Sequence, residues 1–293
     1  MSRGLDDDRL DLAEREPDRS VPDRRPDARA QDVPMEGLDL PRGEERERFD
    51  FRDREYSLNG SETRALATVG AFRVMSPEDL GDGRHDTDAS HGDWRHLGEQ
   101  GLLTHETITD RDGAHHVVAL TRDGKDLLDA HSTTRSDGHR QEYYADVVKP
   151  RELRHDAQLY RIYREEAGLI EREGGRVTRV VLDYELKRDY QRFLNREGRD
   201  DDAGVMQERL AFAEAHDLTI VGGHLELPDL RIEFETKDGR MEHRDVELVT
   251  EHYSRGQIAG KARAGFVCYR AGASGSGNRP GGTPFDPRHL RRL

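Results

Sequence analysis

The segment PDLRIEFETKDGRMEHRDVELVTEHYSRGQIAGKARAGFVCY, residues 228–269, gathers side chains able to handle a divalent cation. Asp229 opens one strand-like run, Glu247 sits inside the next, and a helix-like run with a single lysine, Lys261, follows. Hard carboxylate oxygens suit Mg²⁺, and the Lewis acidity of a bound ion can generate a nucleophile from water at neutral pH. A cation close to such a pair would align the water and steady developing negative charge. Lys261 could take that part if its ammonium reached the two acids; Arg244 and His252 are weaker candidates. The plainer alternative is that Asp229 and Glu247 are polar residues closing strand ends.

The elements that must position these residues form one block over residues 150–270. RELRHDAQLYRIYREEAGLIEREG places Leu153, Ala157, Tyr160, Ala167 and Ile170 on one stripe of a long amphipathic helix. RVTRVVLD reads as a strand, YELKRDYQRFLNREG and GVMQERLAFAEAHD as helices, and LRIEFET-KDGR-MEHRDVELVTE as strand, turn and strand. SRGQIAGKARA is a helix and GFVCYR a closing strand. With the two middle helices set aside as an insertion, the order is α-β-β-β-α-β.

An earlier block covers residues 53–135. Asn59 with Glu62 three residues on is a capping-box pattern, and Ser76-Pro77 starts a second helix. SHGDWRHLGEQGLL is a third helix, with Trp94 and Leu97 facing inward and Gly101 as its stop. LLTHETIT and HHVVALT then form a hairpin about DRDG, and Thr121 caps a closing helix. Three short helices, a β-hairpin and another helix is the winged helix-turn-helix order.

Composition frames both blocks. Of 293 residues, 33% are hydrophobic and 37% charged, so packed pieces joined by solvated ones are expected. Residues 1–52 mix Asp, Glu, Arg and Pro and read as a disordered tail. Residues 271–293 read as a Gly/Ser linker and a short basic tail. A net charge of −14 argues against indiscriminate nucleic-acid binding by the whole chain, but leaves room for a local basic face. Only five of the 47 basic residues are lysine, a bias read as genomic composition. The lone Cys268 sits in an apolar strand pattern, where a small buried hydrophobe is expected. No apolar run reaches membrane-spanning length and no signal core is apparent, so a soluble, cytoplasmic protein is expected. Eight of the 14 histidines fall between His85 and His139, yet no cysteine and no helical His-x-x-x-His pair with an intervening carboxylate accompanies them, which speaks for surface and hairpin roles over zinc.

The α-β-β-β-α-β order with Pro228-Asp229 and Glu247 resembles the PD-(D/E)XK, or restriction-endonuclease-like, core. That resemblance implies that Asp229 and Glu247 bind the metal, with Lys261 standing in at the position where Val249 departs from the pattern. Taken together, VGAFRVMSPEDL, RHLGEQGLL, HDAQLYRIYREEA, VVLDYELKR and VELVTEHYSRGQIAGKARAGF resemble the replication-relaxation family of plasmid and mobile-element proteins over most of residues 56–270. The resemblance implies an α/β (α+β) chain: a winged helix-turn-helix over 53–135, a nuclease-like domain with a helical insertion over 150–270, and disordered termini.

It also implies double-stranded DNA as partner, in plasmid replication, mobilisation or gene control, beside relaxase or replication proteins. On that reading Arg95 and His96 of the third helix and Arg111 and His115 of the hairpin reach DNA. Asp93, Asp110 and Asp112 nearby repel phosphate, so affinity is modest or calls for a homodimer. The nuclease-like domain then serves mainly as a scaffold, no cofactor is required, and the acid pair offers Mg²⁺ a weak site. The competing reading is a Mg²⁺-dependent DNA endonuclease using Asp229, Glu247 and Lys261.

Overall fold

The computed structural model describes residues 30–80, 93–110, 113–134, 138, 140–145, 153–197, 202–250 and 253–270. A 3₁₀ turn, Ala30–Met35, leads to the hairpin β1 (Glu47–Phe51) and β2 (Arg54–Leu58), which pair antiparallel from Glu47 opposite Leu58. Helix α1 (Gly60–Phe72) starts at Asn59, whose side chain accepts from the Glu62 amide while the Glu62 carboxylate accepts from the Asn59 amide. Then come β3 (Val74–Met75), α2 (Pro77–Leu80), α3 (Trp94–Glu99) with Asp93 as its cap, β4 (Leu103–Asp110), β5 (Gly113–Leu120) and α4 (Arg122–His131), capped by Thr121. Strands β3, β5 and β4 form one antiparallel sheet in that order.

The rest of the chain runs α5 (Leu153–Arg172), β6 (Arg176–Leu182), α6 (Asp183–Glu197), α7 (Asp202–Ala215), β7 (Ile220–Val221), β8 (His224–Leu225), β9 (Leu230–Glu235), β10 (Met241–Val249), α8 (Arg255–Arg263) and β11 (Val267–Arg270). Its four-stranded sheet has the order β11-β10-β9-β6. β6, β9 and β10 run antiparallel in turn, and β11 returns parallel to β10 after the α8 crossover. The architecture is mixed α/β, with the expected α-β-β-β-α-β order present as α5, β6, β9, β10, α8 and β11. The insertion holds the two expected helices, α6 and α7, and also the small β7–β8 hairpin, whose two-residue strands leave no periodic signal in the sequence.

Both halves share one apolar cluster. Val33, Leu38, Leu66, Phe72 and Leu120 join Tyr160, Tyr163, Ile170, Ile232 and Leu248 in it, and the Phe72 ring lies 5.1 Å from both Tyr160 and Tyr163. Helix α5 is the common wall: its buried side is Leu159, Tyr160, Ile162, Tyr163, Ala167 and Ile170, packed on α1 and β3 from one side and on β6 and β9 from the other. Among the described residues no helix is long and apolar enough to cross a membrane.

The expected tail over 1–52 is corrected over residues 30–52. Val33, Met35, Leu38 and Leu40 are buried, and the 3₁₀ turn is fastened from both halves of the chain. Tyr163 and Tyr143 donate their hydroxyls to the Ala30 and Pro34 carbonyls at 2.5 and 2.6 Å, and the Ala30 amide donates to Glu171 at 2.7 Å. The segment's own composition cannot offset its chain entropy; the surface that covers it comes from α1, α5 and β6. Residues 1–29 and 271–293 lie outside the described residues.

Gly60 shows how closely this segment is held: its amide donates to the Gly43 carbonyl at 2.7 Å, and a Cβ added there would stand 2.2 Å from the Arg42 carbonyl oxygen. A loose tail would leave Gly60→Ala neutral or slightly stabilising through helix propensity. With Arg42 packed against it, the substitution is expected to destabilise by about 2 kcal/mol or more, measured by urea unfolding.

Candidate functional site

Leu230 pairs with Val246 where β9 begins, and continuing that register sets Asp229 opposite Glu247. The ladder stops there, so the Leu248 amide is met by a side chain: it donates to Asp229 Oδ2 at 2.8 Å. Alternation along β10 then sorts its side chains. Val246 and Leu248 face the main core, whereas Glu247 and Val249 point to the other side, beneath α8.

Helix α8 is set by Ser254, whose hydroxyl accepts from the Gln257 amide while the Gln257 side chain accepts from the Ser254 amide. It brings Lys261 over the acid pair. Lys261 Nζ stands 3.2 Å from Glu247 Oε1 and 3.4 Å from Glu226 Oε2, and it donates to the Leu227 carbonyl at 2.7 Å. Tyr253 donates its hydroxyl to the same Glu247 Oε1 at 2.7 Å. The other oxygen, Glu247 Oε2, is buried without a hydrogen-bond partner. Burial above all, and then the neighbouring Asp229, push the Glu247 carboxyl up to about 7.

Asp229 has a second companion that the sequence reading did not include. His155, on α5, approaches Asp229 Oδ2 through Nε2 at 3.1 Å and Asp156 Oδ1 through Nδ1 at 3.2 Å. Both ring nitrogens face acceptors, which suits an imidazolium donating twice. Burial opposes that charge, but the hydrogen bonds to Asp156 and Asp229 outweigh it and raise His155 to about 10. Asp183, whose amide donates to the Asp229 carbonyl at 3.2 Å, is raised by burial despite its bond to Lys187.

The structure therefore brings Asp229, Glu247 and Lys261 together and adds His155, Tyr253 and Glu226. Arg244 goes elsewhere, to Glu166 at 2.7 Å and Glu173 at 3.3 Å, and His252 lies outside the described residues. Val249 packs with Ile258, Phe266 and Cys268, which explains an apolar residue two beyond Glu247: its place is inside the cluster that seats α8. Cys268 is buried as expected, its thiol pushed up to about 11 chiefly by burial.

The donor set suits a divalent ion held by one or two carboxylates plus water, since Glu247 Oε2 lacks a partner and Asp229 adjoins it. Lys261 and His155 already supply positive charge there, so such an ion competes with two built-in cations. Among the described residues no group of three or more His, Cys, Asp or Glu side chains is placed to hold a metal.

In the N-terminal half, Arg95 is exposed on α3 with its guanidinium over the Trp94 ring at 5.0 Å. His96 is not turned outward as expected: its Nδ1 lies 2.8 Å from Glu62 Oε1, because Glu62, fully buried at the start of α1, gathers Arg46 and His96 about its carboxylate. His115 belongs to β5 opposite Ile108, with its side chain outside the described residues, as is all of Arg111. His105 and His116 stack at 5.3 Å on the exposed hairpin, and Trp94 lies 5.8 Å from His105. A separate cavity of about 420 Å³ is lined by Arg52, Lys125, Asp126, Asp129, Arg140 and Glu142. Its charges are already matched, Arg52 to Asp126, Lys125 to Asp129 and Glu142 to Arg188.

Compared with known proteins, the chain matches no family model, no curated protein and no solved structure.

Two outcomes follow from this geometry. His155 holds its proton more tightly folded, at about 10, than unfolded, near 6.5, so the stability it supplies is complete below pH 6.5 and lost as pH rises towards 10. In chelator, urea unfolding of the wild type should weaken from pH 6.5 to 9.5 more steeply than that of His155→Gln; parallel slopes would refute the doubly donating imidazolium. Val249→Lys should cost about 2 kcal/mol or more in the same assay, because it places an ammonium in the cluster beneath α8.

Proposed function

We propose that this chain is a DNA-binding protein of mobile-element type, acting in plasmid replication, mobilisation or transcriptional control. In this reading the N-terminal half is a winged helix and the C-terminal half a nuclease-like domain used as a platform. The observation that carries it is the arrangement of residues 60–120. Helix α1, short strand β3, helices α2 and α3 and the hairpin β4–β5 close into a sheet of order β3-β5-β4, leaving α3 with Arg95 exposed beside the hairpin. That is the plan in which the last helix enters the major groove and the hairpin lies alongside. Arg95 is the residue assigned to DNA, with Arg111 and His115 of the hairpin as further candidates; His96 is assigned to holding α3 against Glu62. Plasmid or mobile-element context comes from the family resemblance alone, and neighbouring relaxase or replication genes would bear on it.

A second reading, a Mg²⁺-dependent endonuclease using Asp229, Glu247 and Lys261, is favoured by two observations. Lys261 stands 3.2 Å from Glu247, and Glu247 Oε2 is buried without a partner. His155 favours the first reading, since its imidazole already takes Asp229 Oδ2 and relieves the repulsion a metal would otherwise neutralise.

The shared core calls for the whole chain in both tests. In an electrophoretic shift against its own upstream duplex at low salt, Arg95→Ala should weaken binding by about 1–3 kcal/mol if the guanidinium meets a guanine. No shift with any duplex by the wild type would sink the DNA-binding reading. With Mg²⁺ and supercoiled DNA, no cleavage is expected; cleavage that Asp229→Ala abolishes would establish the endonuclease.

A further inference from the structure

The acid pair is tied to the N-terminal half by a continuous series of charged hydrogen bonds. Arg73 follows the last residue of α1 and precedes β3, the strand through which that half's sheet begins. Its guanidinium donates to Asp156 Oδ2 at 2.6 Å and lies over the Tyr184 ring at 3.8 Å. Asp156 Oδ1 meets His155 Nδ1 at 3.2 Å, and His155 Nε2 meets Asp229 Oδ2 at 3.1 Å. That same Asp229 oxygen accepts from the Leu248 amide, the neighbour of Glu247. Asp156 and His155 are each entered and left through different atoms, whereas at Asp229 the single oxygen Oδ2 meets both His155 and the Leu248 amide.

Arg73 is held in an unusual way. Its backbone has φ of 66°, the left-handed region that favours glycine, and its side chain is only 6% exposed. Such a conformation is costly for a residue with a Cβ and persists where the surroundings over-determine it. Here the surroundings are Asp156 and Tyr184, both belonging to the C-terminal half, while the next two residues, Val74 and Met75, pair with Ala119 and Val118 of the hairpin strand β5. A shift of β3 or of that hairpin would move the Arg73 backbone, and the side chain would carry the shift to Asp156. Arg73 and Asp156 are both buried, which leaves little room for water to absorb the displacement between them.

We propose that Arg73, Asp156 and His155 form a coupling element through which the N-terminal half sets the position of Asp229 in the acid pair. Arg73 is a positioning residue in this scheme, acting through two others. The inference rests on reading Asp229 and Glu247 as a functional pair and residues 60–120 as the DNA-facing half. It makes engagement at one site and cation binding at the other reciprocal, since each biases the same set of contacts.

The test uses the full chain in chelator, with amide hydrogen exchange and backbone amide resonances as readouts, so a failure of metal or DNA binding leaves it intact. Arg73→Gln should speed exchange of the Leu248 amide about tenfold relative to the amides of Val180 and Ile232 in the same sheet, with a smaller change for the charge-conserving Arg73→Lys. In the other direction, Asp229→Asn should shift the Val74 and Met75 amides. If Leu248 exchange changes no more than that of Val180 and Ile232, or if Val74 and Met75 keep their resonances, the coupling is overturned. Should Arg73→Gln fail to fold, His155→Gln gives the same decision: responses at both Leu248 and Val74–Met75 support the element, and a response at one end or none refutes it.

Discussion

A carboxylate can leave water only with a donor waiting for it, and in a chain of net charge −14 that constraint fixes much of the interior. Glu62 has Arg46 and His96, Asp156 has Arg73 and His155, Glu166 has Arg244 and the Tyr269 hydroxyl, Asp245 has Arg231, Glu185 has Arg179, and Glu247 has Lys261 and Tyr253. Four of these pairs, Glu62–His96, Asp156–Arg73, Glu166–Arg244 and Glu166–Tyr269, join elements far apart in sequence, so satisfying those acids also sets which helix lies on which strand. Arginine suits the task because its planar fork can engage both oxygens at once, as Arg231 does with Asp245 at 2.7 and 2.8 Å. Whatever produced the arginine bias of the composition, the fold uses it.

The acid pair shows the same constraint with two different outcomes. Asp229 ends a ladder and takes a backbone amide and an imidazole; Glu247 lies mid-strand and takes an ammonium and a phenol on one oxygen only. Neighbouring carboxylates thus have distinct surroundings, and it is the deeply buried Glu247 whose carboxyl is pushed up to about 7. The unpartnered Oε2 is the place where this balance is left open.

Much of this was legible in the sequence, and the limits have physical causes. Strands and helices are readable where apolar periodicity is strong, as in RVTRVVL and LRIEFE, and Asn59 and Thr121 announce their caps. Asp229, Glu247 and Lys261 could be grouped because one short stretch carries all three. His155 could not: it lies 74 residues before Asp229, in a helix whose pattern speaks only of its apolar stripe. The burial of segment 30–52 leaves no mark in the sequence, because Val33, Met35, Leu38 and Leu40 are spaced among polar residues with no regular period and depend on partners elsewhere in the chain. The inward turn of His96 is likewise invisible locally, since Glu62, its partner, lies 34 residues earlier.

The 3₁₀ turn at Ala30–Met35 also bears on the order in which the chain can acquire its structure during synthesis. Its amide partner Glu171 is 141 residues downstream, and the Tyr143 and Tyr163 hydroxyls that hold it are 109 and 133 residues downstream. A ribosome adding about 5–20 residues each second would leave this segment without its cover for many seconds after it emerges. Local elements such as α1 and the β4–β5 hairpin need no such wait, whereas closing contacts of this span is entropically slow. The earliest described part of the chain is therefore locked only once α5, which carries Tyr163 and Glu171, has been made.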